Sequence, residues 1–64
     1  MTYTTEWEEY YVYLSKLQKR SGSVLGATLR LQERFDLRKR LARTVLSSYM
    51  SNYDDLVKDG VIDG

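Results

Sequence analysis

The sequence predicts an all-α fold, and three observations carry that prediction. No proline interrupts the 64 residues, apolar side chains recur at helical spacing from residue 24 to residue 57, and a helix start signal stands at Thr5. The stripe comprises Val24, Leu31, Phe35, Ala42, Leu46, Tyr49, Tyr53, Leu56 and Val57. At about 100° per residue these fall within roughly 60° either side of one line. The architecture expected is an antiparallel helical hairpin with a long second helix, completed as a helical bundle by dimerisation. Residues 1–64 form a single small domain.

The first helix is expected over residues 5–20. Thr5 followed by Glu8 matches a capping box, in which the threonine oxygen accepts from a backbone amide and the glutamate reaches back. Glu6, Glu8 and Glu9 place negative charge at the positive end of the helix dipole, and Lys16, Lys19 and Arg20 do the converse at the other end. Trp7, Tyr10, Tyr11, Leu14 and Leu17 share a face and are expected in the core, with Tyr3 extending it. Ser21-Gly22-Ser23 is the expected hairpin turn, with Gly22 closing one helix and Ser23 capping the next.

The second helix is expected from about residue 23 to about residue 50, with a continuation to residue 59. Gly26 costs about 1 kcal/mol relative to alanine and should not break it. One long helix is the favoured reading, with two places where it could break: Phe35-Asp36-Leu37, where Asp36 offers a cap for a new helix, and Ser51-Asn52, where a cap with Asp54 three residues on would restart one. A helix-turn-helix is disfavoured, since that motif needs a three- or four-residue turn, often with glycine, and none is evident after Ala27. Gly60 reads as the terminal stop, with Val61 and Ile62 folding back onto the last turn.

Composition limits the functions available. With no cysteine and no histidine, a chain of this size has neither disulfide nor zinc staple, so oligomerisation or a partner is the expected source of extra stability. The same absence removes imidazole base, thiolate nucleophile and triad. Asp54, Asp55, Asp59 and Asp63 do not follow a calcium-loop spacing, and Ser21-Gly22-Ser23-Val24-Leu25-Gly26 lacks the lysine of a phosphate loop. No catalytic residue, metal ligand, cofactor or small-molecule substrate is therefore expected. The start lacks a basic and apolar leader, and no apolar run approaches the roughly 20 residues that span a bilayer. A cytoplasmic protein without membrane contact is expected.

Two binding readings compete. The first is a protein-binding module, an adaptor, regulator or inhibitor acting as a homodimer on a larger protein. Its surface would use Val12, Tyr13, Leu37, Leu41, Val45, Leu46, Tyr49, Tyr53 and Leu56, because helix 1 is too short to cover the stripe and tyrosine is enriched at interfaces. The alternative is a nucleic-acid-binding or transcription-regulatory protein. Residues 16–43 hold nine bases against two acids although the whole chain carries only +1, and Arg30, Arg34, Arg38, Lys39, Arg40 and Arg43 would contact phosphates. Against this, a folded-back helix 1 would bring Glu6, Glu8 and Glu9 to Arg34, Arg38 and Lys39, so that part of the basic block is answered within the chain. A charge at Leu46 tests the first reading. Leu46→Asp should disperse the oligomer in a sedimentation experiment, and a well-folded wild-type monomer would remove the basis for it.

Overall fold

The apolar stripe is broken twice, and the breaks decide the architecture. The computed structural model describes residues 3–21 and 26–63. A short 3-10 turn (Thr5–Trp7) leads into α1 (Glu8–Ser21), followed by α2 (Ala27–Phe35), α3 (Lys39–Ser51) and α4 (Tyr53–Lys58). There is no strand among the described residues. A continuous helix over residues 24–57 would be about 50 Å long at 1.5 Å per residue, whereas the longest extent of the fold is 28 Å. The expected long arm is thus several helices turned upon one another. α2 and α3 form the most extensive pair, α1 packs against both, and α4 packs against the end of α3.

The first break lies at residues 36–38. Asp36 takes a left-handed conformation, φ 55° and ψ 46°, and is the one non-glycine residue with positive φ among those described. Aspartate tolerates this region better than most side chains because its short polar group bonds locally. Arg38 is extended, φ −73° and ψ 150°, and its carbonyl accepts from the Ala42 amide at 2.9 Å to start α3. Neither Asp36 nor Arg38 caps a helix through its side chain. A pair of helices joined by a three-residue turn, which the sequence is not expected to provide after Ala27, is therefore present over residues 27–51. Its turn uses aspartate where glycine would signal it.

The second break is at Asn52, 3% exposed. Its side-chain amide donates back to the Ser48 carbonyl at 2.9 Å, while its own carbonyl accepts from the Leu56 amide at 2.9 Å. A break at Ser51-Asn52 is one of the two left open by the sequence; the Asn52 side chain serves α3 and does not cap α4. At the end of α4 the Gly60 amide donates to the Val57 carbonyl, and the Val61 amide to the Leu56 carbonyl. With Gly60 at φ 78°, this is a Schellman closure, and Ile62 folds back into the core as expected.

Two expected start signals are corrected. The first helical turn begins at Thr5 itself, preceded by Thr4, and no side-chain cap bond is made. The Thr5–Glu8 box fails because Thr5 sits inside the turn it was to precede. Gly26 stands outside the helix, at the start of α2 with φ 77°, and an added Cβ there would meet nothing within 4 Å. Its role is conformational. Gly22 and Ser23 of the expected hairpin turn lie outside the described residues.

Tyr11, Leu14, Ala27, Leu31, Ala42, Val45, Tyr49, Leu56 and Ile62 form the core. Three tyrosine hydroxyls tie it together. Tyr11 Oη lies 2.9 Å from Ser48 Oγ and accepts from the Thr4 amide at 3.3 Å. Tyr49 donates to Gln18 Oε1 at 2.7 Å, and Tyr3 donates to Asp59 Oδ2 at 2.9 Å. Tyr11 and Tyr49 stack with centroids 6.5 Å apart, and Tyr3 meets Tyr11 edge-on. Among the described residues no buried side-chain polar atom is left without a partner, as a small core requires. Hydrogen bonding to the Asp59 carboxylate raises the Tyr3 pKa, with burial and neighbouring acids adding to it.

Two predictions follow from this packing. Relief of the left-handed strain makes Asp36→Gly stabilising by up to about 1 kcal/mol, while Asp36→Val, whose β-branch clashes there, should cost about 1–2 kcal/mol. Thermal or urea unfolding reads both, and a lower midpoint for Asp36→Gly would show that the turn is not strain-limited. Burial raises the Tyr49 pKa above its ordinary 10.0, with Tyr53 adding to the effect. Its contribution to stability is full while the unfolded tyrosine remains neutral, below about pH 10, and is lost as pH climbs through the folded value. Unfolding free energy should therefore decline above about pH 10, and Tyr49→Phe should flatten that decline.

Candidate nucleic-acid interface

The turn and α3 expose a basic surface. Between Asp36 and Asp54 the sequence contains no acid but four bases, Arg38, Lys39, Arg40 and Arg43, and all four are exposed. The inward face of α3 is set by Ala42, Val45 and Tyr49. At 100° per residue the opposite face then carries Arg40, Arg43, Thr44, Ser47 and Ser51, each exposed.

Two shallow hollows border that face. One is lined by Thr4, Trp7, Arg43, Thr44, Ser47, Ser48, Ser51 and Asn52, the other by Thr28, Arg43, Leu46, Ser47, Met50 and Ser51. Arg43, Ser47 and Ser51, four residues apart, belong to both and so stand as a ridge between them. A third depression gathers Lys39, Arg40, Arg43 and Thr44. Among the described residues the single ion pair is Lys19 with Asp63, at 3.7 Å. No ion pair links Glu6, Glu8 or Glu9 to Arg34, Arg38 or Lys39, so the charge of the basic segment is left facing solvent. Arg30 and Arg34 are exposed on α2. The Arg34 guanidinium lies 5.2 Å from the Phe35 ring centroid, a cation–π arrangement.

The apolar residues expected at a partner surface are placed differently. Val45, Tyr49 and Leu56 are in the core of the single chain. Leu37, Leu41, Leu46 and Tyr53 are half-buried and packed against that core, as is Tyr13. Tyr13 and Tyr10 hold Phe35 edge-on at 5.5 Å and 4.8 Å. Val12 is half-buried and lines a depression with Tyr13 and Phe35. The physical reason is the turn at Asp36, which folds the stripe onto itself so that α2 and α3 cover one another. Among the described residues the large apolar side chains that are exposed are Leu29 and Met50, each 61% accessible.

Thr44 and Ser47 were not singled out from sequence. The signal was present in the acid-free run with small hydroxyl residues between its bases, but it required knowing which face of α3 is buried. Among the described residues no group of three or more histidine, cysteine, aspartate or glutamate side chains could hold a metal ion. No helix among them is long and apolar enough to cross a membrane. No protein-family model matches the chain, and neither curated proteins nor solved structures yield a match.

Proposed function

We infer that the protein binds nucleic acid through the turn between α2 and α3 and the exposed face of α3. One observation carries this: two helices joined by a three-residue turn, the second opening on exposed Lys39 and Arg40 with Arg38 before and Arg43 after them. In a helix-turn-helix the second helix approaches the nucleic acid with its N-terminal residues leading. Arg38, Lys39, Arg40 and Arg43 have that placement, with Arg30 and Arg34 contributing from α2. The role is transcription-regulatory or architectural, and non-enzymatic.

A protein-binding role is the second reading, favoured by the exposure of Leu29 and Met50. It includes self-association as a homodimer, with Leu46 beside Met50 in one hollow.

Titration of the intact protein against a nucleic-acid duplex at several salt concentrations tests the first reading. Binding should weaken steeply with salt, and Arg38→Ala and Lys39→Ala should each reduce the log–log slope by roughly 1. No binding at low salt would remove it. Leu29→Ser with Met50→Ser should leave that binding unchanged. Loss of a dimer in sedimentation by the same pair would support the second reading.

A further inference from the structure

The face of α3 differs from a merely cationic patch. Its outward residues set two guanidiniums, Arg40 and Arg43, ahead of three short hydroxyl side chains, Thr44, Ser47 and Ser51. A long charged side chain reaches a phosphate from almost any surface, whereas a serine or threonine touches a ligand only where the helix backbone itself comes close. The ridge formed by Arg43, Ser47 and Ser51, with a hollow on either side, allows such an approach. The α3 helix is about 20 Å long, and a B-DNA major groove about 12 Å wide admits one α-helix.

The chemistry discriminates among nucleic acids. Single strands are held largely by stacking on exposed aromatic rings, and here no aromatic residue is exposed; Trp7, at the edge of one hollow, is half-buried. Tyr11 and Tyr49 are buried, Tyr10 and Tyr13 pack on Phe35, Tyr3 bonds Asp59, and Trp7 and Tyr53 pack against the core. The major groove of an RNA duplex is too deep and narrow for a helix to read. B-form DNA remains.

We propose, resting on the nucleic-acid reading above, that α3 enters the major groove of duplex DNA and reads base sequence through Arg40, Arg43, Thr44 and Ser47, while Arg38 and Lys39 contact phosphates. Arginine recognises guanine by a bidentate bond to O6 and N7, and serine and threonine pair with several base edges. The Thr44 hydroxyl already donates to the Arg40 carbonyl at 3.0 Å. What it offers outward is therefore its methyl group, suited to the methyl of thymine, and its oxygen lone pairs.

Selection of the full chain against a random DNA duplex library, with helicity of every variant checked by circular dichroism, tests the proposal. The wild type should enrich a short motif. Arg40→Lys keeps the charge but loses the planar fork, so discrimination between the motif and random duplex should fall roughly tenfold or more, with the salt slope unchanged. Ser47→Ala should alter the preferred base at one position. Lys39→Ala should weaken all sequences alike. Salt-sensitive binding with no enriched motif, or a motif indifferent to Arg40→Lys and Ser47→Ala, would overturn base readout while leaving nucleic-acid binding intact. Stronger binding to an RNA duplex or to single strands would overturn the choice of DNA. Absence of all binding at low salt would remove both this proposal and the reading beneath it.

Discussion

Everything in this fold depends on where the chain reverses after Phe35. A protein of 64 residues with no cysteine and no histidine has no covalent or metal staple, so its one apolar stripe must be covered if the domain is to stand. The left-handed Asp36 and the extended Arg38 turn the chain through three residues. The stripe that runs along α2 then meets the stripe of α3. The reversal closes the core with Leu31 on one side and Ala42, Val45 and Tyr49 on the other. The same reversal also sets Arg38, Lys39 and Arg40 at the corner, so one local conformation shapes both core and basic surface.

The tyrosines complete that core. A helix of nine residues packed on one of thirteen buries little by itself, and α1 supplies the remaining layer. Tyr11 inserts between the N-terminal turn and α3, with its hydroxyl shared between Ser48 and the Thr4 amide. Aromatic rings bury large areas and carry a polar handle, which lets a short helix close a core without leaving a hydroxyl unmet. Tyr3 then bonds Asp59 across from the N-terminal part to the C-terminal end, where Lys19 also meets Asp63 in an exposed pair that adds little. These contacts use acids and bases remote from the turn, and the charge around the turn stays unanswered.

That residual charge is what gives the molecule a direction. Net charge of +1 describes a nearly neutral protein, but among the described residues no ion pair joins the acids of the first turn or of α4 to the bases of α3. The outward side of α3 therefore presents positive charge and small hydroxyls without a carboxylate. A stretch with this composition is suited to a polyanion whose grooves a helix can enter, and poorly suited to an apolar partner. The apolar exposure at Leu29 and Met50 is the feature that a protein partner would use.

Sequence alone determined the helical class, the face of α1 that forms the core and the terminal stop at Gly60, while it marked Asp36 and Ser51-Asn52 only as places where a favoured long helix could break. Each follows from spacing or from a residue whose backbone preference is local. The path of the chain through those breaks was not legible. Periodicity is blind to whether a stripe continues past a bend or folds back upon itself, because both leave the same residues apolar. Tertiary structure decided that Val45, Tyr49 and Leu56 are covered by their own chain and that Thr44 and Ser47 share an outward face with Arg40. The physical reason lies in one dihedral pair at Asp36, a residue that signals a cap in sequence and here makes a turn.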